Sequence, residues 1–387
     1  MEYTAALYIC IAILGAILFI GSSGRPADEK PFFDRISGKE IQGALAVFII
    51  FHQTVIALDA SGDDSGDMRF FYYYGILAVA FFFFSSGFGL LKRRMTDENY
   101  IKGFMRRRIF TVLVPFFICN YIYLTDALLN NIASRMHFGF GEVICSFFGI
   151  FLINNEMWFA VEIMILYIAF RLVFAKVKKP LTGIIIMTFV VLAMMTIGLF
   201  SGHSDTGVMS YWFKGEWWYN TLLMFPLGML YAYKEERINR VVKRAFVAVL
   251  LGSAVLFVIL DHIHKNLISR SIYWTEYANS ANPILDKLLG LGEETLLEIV
   301  FMILGLTIMS RVKIGNPVIK FFGKISLEII MLNYLVIEKL YFLYTMYGIG
   351  VYLAAVTAGT IVLASVVYLV KNIVLERRSG LFDGKVT

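Results

Sequence analysis

The sequence predicts an all-α polytopic membrane protein with about eleven transmembrane helices, and three observations carry that expectation. Of its 387 residues, 59% are hydrophobic and 17% charged, with a mean hydropathy of +0.72. A soluble domain has about a quarter of its residues charged. The apolar stretches run about 18 to 22 residues, enough to cross a ~30 Å hydrocarbon core as helices. The loops between them alternate in charge, as a chain that crosses repeatedly requires. The ~10-residue alternating segments of a β-barrel are absent.

Taken in order, the predicted spans fall at 3–21, 41–58, 74–91, 109–129, 155–175, 181–200, 216–233, 244–261, 291–310, 325–343 and 349–371. The first resembles a signal peptide in length. Glu2 is the only charge before it, where a signal would carry basic residues, so it reads as a retained helix. Basic loops at 22–40, 92–108, 176–180, 234–243, 311–324 and from 372 are assigned to the cytoplasm. Opposite them, 59–73 holds Asp59, Asp63, Asp64 and Asp67 against Arg69 alone. The N-terminus is therefore expected outside and the C-terminus inside. The net charge of +6 sits mostly in short loops, where it reports topology and not nucleic-acid binding. Cys10, Cys119 and Cys145 are scattered in apolar surroundings, so neither a disulfide framework nor a zinc site is expected.

Chemistry begins with "ALAVFIIFHQTVIAL", residues 44–58, where His52 interrupts an apolar run. At helical rise His52 lies about 17 Å from the cytoplasmic start of its span, in the outer half. Such a histidine either bonds a neighbouring helix, worth about 0.6 kcal/mol, or serves as a general base. The third span ends "FFFFSSGFGLLKRR", with Ser85, Ser86, Gly87 and Gly89 forming a small face above Lys92, Arg93 and Arg94. Small residues there allow either close helix packing or the approach of a substrate. Next, "FMRRRIFTVLVPFF" places Arg106, Arg107 and Arg108 at a cytoplasmic helix entrance, with Pro115 expected to kink the span. Arginines there serve as an inside anchor or as ligands for phosphates. Glu162 in "NNEMWFAVEIMILYIAF" must face a partner or a cavity, whereas Glu156 is expected nearer the surface and solvated. Trp158 suits an interfacial belt. Late in the chain, Ser326, Glu328, Asn333 and Glu338 stand in an apolar context.

These pieces, in this order, resemble the acyltransferase-3 integral membrane acyltransferases over about residues 35–372. The family's pattern is a core helix ending in histidine, then "FFxxSGF", then a basic "RRxxRxxxP"-like entry. A Trp, Glu, Tyr segment and a late "GxxSxxxYxxH"-like helix follow. The matching residues are His52, Phe82 to Phe88, Arg106 to Pro115, then Trp158, Glu162 and Tyr167, and finally Gly323, Ser326 and Asn333. Three departures stand out. The arginine usual ten or eleven positions before the histidine is replaced by Gln42 and Ile41, and Lys39 is the nearest basic residue. Asn333 stands where many members have histidine. Residues 1–34 add a helix and linker before the usual ten-helix core, and 373–387 form a cytoplasmic tail.

The resemblance implies an enzyme of the bacterial cell membrane that moves an acyl group, commonly acetyl, from cytoplasmic acyl-CoA to an outside hydroxyl. The acceptor would be a glycan or a lipid-linked sugar. His52 would act as general base, with Glu162 orienting it or the acceptor. Arg106, Arg107 and Arg108, with Arg93, Arg94, Lys39 and Ser86, would hold the donor, and Trp158, Tyr167 and Asn333 would contact substrate. No metal is called for, no nucleic acid is a partner, and a homodimer is compatible. Direct transfer and a transient acyl-imidazole both remain open. Two other readings stand beside it: a transporter or flippase using His52 and Glu162 as a proton relay, and a non-catalytic member of the same family.

Overall fold

The computed structural model describes residues 2–26, 31–134, 139–201, 209–215, 217–268 and 279–383. Among the described residues every predicted span is mainly helical, though a turn at 221–223 divides the one predicted over 216–233. In chain order the helices are α1 (Glu2–Phe19), α2 (Arg35–Ala60), α3 (Arg69–Thr96), α4 (Phe104–Arg108), α5 (Val114–Ser134), α6 (Phe140–Phe147) and α7 (Trp158–Lys176). They continue with α8 (Pro180–Ser201), α9 (Trp217–Asn220), α10 (Met224–Arg244), α11 (Phe246–Ile268), α12 (Pro283–Met309) and α13 (Pro317–Asp383).

Eight helices among the described residues are long and apolar enough to cross a membrane. The last of these runs 57 residues, Pro317–Ile373, about 85 Å at helical rise and far more than one crossing needs. Gly348 breaks it with φ 79° and ψ −179°, a conformation closed to other residues, and so divides it into the two predicted spans. α10 and α12 fall outside the eight. α10 ends in the charged run "KEERINRVVKR", and α12 carries buried Glu293, Glu294 and Glu298 through its apolar stretch. His264 on α11 donates from Nδ1 to Glu293 Oε2 at 3.0 Å, which gives one of those carboxylates a partner inside the protein.

α2 lies in the middle, packed between α3 and α13, while α10 covers the far side of α3 and α11 pairs with α12. Its start is fixed by a capping box: Asp34 accepts from the Ser37 N–H at 2.7 Å and Ser37 Oγ accepts from the Asp34 N–H at 2.9 Å. Just before Pro115, where a kink was expected, the helix widens into a π turn over Ile109–Leu113. Proline cannot supply the next helical donor, and a wider turn absorbs the lost bond.

α1 is stapled to α13 at both ends. Glu2 Oε1 accepts from the Ile349 N–H at 2.9 Å, and Tyr3 and Tyr344 share a hydroxyl bond of 2.7 Å. At the other end, Asn316 Nδ2 donates to the Ile17 carbonyl at 2.7 Å and the Ile20 carbonyl at 3.0 Å. A two-residue strand, Ser23–Gly24, pairs antiparallel with Val312–Lys313. Glu2 thus caps the helix that restarts after Gly348, where the first N–H groups lack intrahelical acceptors. Glu2→Ala is expected to cost about 1 kcal/mol of stability, read as a lowered unfolding midpoint in detergent. An unchanged midpoint would mean that water replaces the carboxylate at no loss.

Candidate functional site

Between Ile41 and Ile56, α2 is buried on every side but one. The half-buried positions are Ile41, Leu45, Phe48, His52 and Ile56, spaced three or four apart, and every other residue of that stretch is buried. His52 therefore sits on a single narrow stripe that runs from the basic end of the span to its acidic end.

The ring has a built seat. Its Nδ1 lies 2.9 Å from the Phe71 carbonyl oxygen at the start of α3. A carbonyl only accepts, so the neutral ring carries its proton on Nδ1 and leaves the Nε2 lone pair free. One turn further along α3, a Cβ on Gly75 would press against Nδ1, Cε1 and Nε2 of the same ring. Glycine there is what lets α3 come this close. Glu162 was expected to orient His52 or the acceptor; the Nδ1 atom of His52 is held by the Phe71 carbonyl instead. The Glu162 side chain is fully buried on α7, and neither of its oxygens has a hydrogen-bond partner among the described residues.

Toward the acidic end, the polar neighbour of His52 is Gln53, whose Nε2 donates to Glu156 Oε2 at 2.9 Å. Glu156 is thus half-buried and bonded inside the bundle, which corrects the expectation of a solvated carboxylate. The loop entering α7 places it there. Asn154 Nδ2 donates to Tyr123 Oη at 3.0 Å, and the Leu335 N–H donates to the same oxygen at 2.9 Å. These bonds tie α5, the α7 entrance and α13 together. The sequence offered one signal for this network, the polar trio Asn154, Asn155 and Glu156 at the head of an apolar span.

Toward the basic end, the family-pattern residues converge. Tyr167 Oη donates to Ser86 Oγ at 3.5 Å. The Arg108 guanidinium stacks over the Tyr167 ring at 4.8 Å and the Phe104 ring at 5.2 Å, and donates to Tyr100 Oη at 2.7 Å. Three elements, α3, α4 and α7, so form one wall. Beside it, Gln42 Nε2 donates to Ser85 Oγ at 2.5 Å. The position ten before His52, where the family pattern has arginine, is occupied here by a buried amide bonded to the serine motif. Arg107 is spent on the Lys102 and Tyr100 carbonyls, Lys92 pairs with Glu235, and Arg93 and Arg106 are exposed. Arg94 is half-buried with its Nε unbonded.

The remaining expected residues lie apart. Trp158 is 6% exposed and packs on Phe83, so it belongs to the core and not to an interfacial belt. Asn333 is fully buried, with neither amide atom bonded among the described residues. Lys39 is exposed at the basic end, about 140° around the helix from His52. Of the small face on α3, Gly87 is consumed by the crossing with α10, where a Cβ would meet the Phe225 carbonyl. Two of the cavities among the described residues bear on the site. One, about 590 Å³, runs between α5 and α13 past Thr125, Leu335 and the Asp126–Lys339 ion pair. The other, about 280 Å³, lies at the start of α2. His52 lines neither.

The acyltransferase-3 family profile, described as an acyltransferase domain, matches residues 41–369. The chain belongs to the acyltransferase-3 family. No curated protein and no solved structure matches it. The matched span runs from α2 to near the end of α13, so His52, the Ser86–Tyr167–Arg108 wall, Trp158, Glu162 and Asn333 all fall inside the acyltransferase domain. Lys39 lies two positions before it, and α1 lies outside the matched residues. The protein is an all-α, multi-pass membrane acyltransferase.

Proposed function

We propose that this acyltransferase moves an acyl group, acetyl in the simplest case, from cytoplasmic acyl-CoA to a hydroxyl of a glycan or lipid-linked sugar beyond a bacterial cell membrane. The basic end of the bundle would face the cytoplasm. The observation that carries the reading is the seat of His52. The Phe71 carbonyl fixes the tautomer, and Gly75 makes room for the ring.

In this scheme Nε2 takes the acceptor's hydroxyl proton as the oxygen attacks the thioester carbonyl. The C–S bond then breaks, and the imidazolium returns the proton to the departing sulfur, so the ring ends as it began. The half-buried stripe Ile41, Leu45, Phe48, His52 gives the acyl arm its line of approach, and the scheme requires that stripe to widen. Ser86, Tyr167 and Arg108 would wall the inner half. Gln53 and Glu156 would meet the acceptor, and Glu162, buried without a hydrogen-bond partner among the described residues, is a further group for a substrate hydroxyl to satisfy.

The test is incubation of the purified protein with labelled acetyl-CoA, scoring free CoA. Release that depends on His52 supports an enzyme with this base; its absence in the presence of acceptor would overturn it. Arg108→Ala is expected to lower kcat/KM for acetyl-CoA about tenfold, the loss of one well-placed cation–π stack. An unaltered kcat/KM would reduce Arg108 to a topological anchor.

A further inference from the structure

The basic ends of α2 and α13 cross with their backbones in contact. A Cβ on Gly43 would strike the Ile319 carbonyl and the Gly323 N–H, and one on Gly323 would strike the Lys39 carbonyl. Beside this crossing opens the groove of about 280 Å³, lined by Arg35, Lys39, Glu40, Lys320, Gly323 and Lys324. Four cations and a single carboxylate share it. Glu40 lies within electrostatic range of Lys320 and Lys313. Among the described residues, none of the four cations makes an ion pair.

Basic residues at the inner face of a membrane protein ordinarily splay into water. Here two helices, brought close by a glycine crossing, set four exposed cations around one concavity. Such a site recognises phosphate: Arg35 offers a planar fork, and the lysines add point charges. Its volume lies just below the ~300–1,000 Å³ of drug-sized pockets, so it suits one end of a long ligand. The groove opens at the same basic end of the bundle as the site already described. Lys39 lies within electrostatic range of Arg108, the outermost piece of the Tyr167–Ser86 wall. Along α2 the distance from Lys39 to His52 is about 20 Å at helical rise, which an extended pantetheine arm covers. The expected phosphate ligands are less suited, because Arg107 and Arg108 are committed to Tyr100, Lys102 and Tyr167.

We propose that this groove between the starts of α2 and α13 binds the nucleotide phosphates of the acyl donor. The proposal rests on acyl-CoA being that donor. Arg35, Lys39, Lys320 and Lys324 hold the phosphates, and the arm threads past Arg108 toward His52.

The test is the double variant Lys320→Ala/Lys324→Ala in the full chain, reconstituted in phosphatidylcholine vesicles. Acetyl-CoA is compared with acetyl-pantetheine, which lacks the nucleotide. The wild type's preference for acetyl-CoA, taken as a ratio of kcat/KM values, is expected to fall tenfold or more in the double variant. Lys320→Arg/Lys324→Arg is expected to keep most of it. An unchanged preference, or an equal loss for both donors, overturns the proposal. So does a defect seen only when phosphatidylglycerol is added, which would mark the groove as a lipid-headgroup site. If the wild type neither binds nor consumes acetyl-CoA, the donor reading itself fails, and this proposal goes with it.

Discussion

His52→Gln is expected to lower acyl transfer by about 10²- to 10⁴-fold, the usual range for loss of a general base. Glutamine preserves volume and can still donate to the Phe71 carbonyl, so the seat is kept while the lone pair that takes a proton is lost. The bond itself stabilises the bundle by about 0.6 kcal/mol, so expression and unfolding temperature should stay close to wild type. That split separates the two readings of a histidine within a span. A packing histidine would show lowered stability with turnover intact. The measurement is steady-state release of CoA from acetyl-CoA with acceptor present, beside thermal unfolding in the same detergent.

Gly75→Ala is expected to reduce turnover by about 10²-fold, without removing any group that touches substrate. The added methyl presses on three atoms of the imidazole, and α2 and α3 are packed too closely for the backbone to yield freely. The ring must then leave the Phe71 carbonyl, and a misplacement of about 1 Å at a reacting group costs on that order. Because Gly75 acts through His52, the loss should fall on kcat, with KM for acetyl-CoA little changed. In the background of His52→Gln the same substitution should cost almost nothing more, since the two share one function. A full additional loss in the double variant would show that Gly75 acts elsewhere.

Much of this architecture was legible in the sequence because bilayer physics writes it there in long, coarse strokes. Spans of apolar residues and alternating loop charge are signals about twenty residues wide. Ser86, Tyr167 and Arg108 could be named from the order of the motifs, but not their meeting in one wall. Other features left no trace. The partner of His52 is a main-chain carbonyl, which every residue possesses, so no residue type at position 71 announces it. Glu156 was misjudged because depth was counted along one helix, whereas Gln53 on a different helix buries it. The basic groove was missed for a similar reason. Arg35 and Lys39 lie nearly 300 positions from Lys320 and Lys324, and only the glycine crossing of α2 on α13 makes them neighbours. Trp158 was read as a belt residue from its place at a span's start, or as a substrate contact, and its packing on Phe83 speaks against the belt.

The contact between Glu2 and Ile349 joins residues 347 positions apart. At about 5 to 20 residues per second of synthesis, roughly 20 to 70 s separate the emergence of one from the other. The same helix has a nearer partner as well: Thr4 donates to Asp67, only 63 positions on. Docking of α1 is thus staged, with its early neighbours before α3 and on α2 within reach long before the turn at Ile349 has been made.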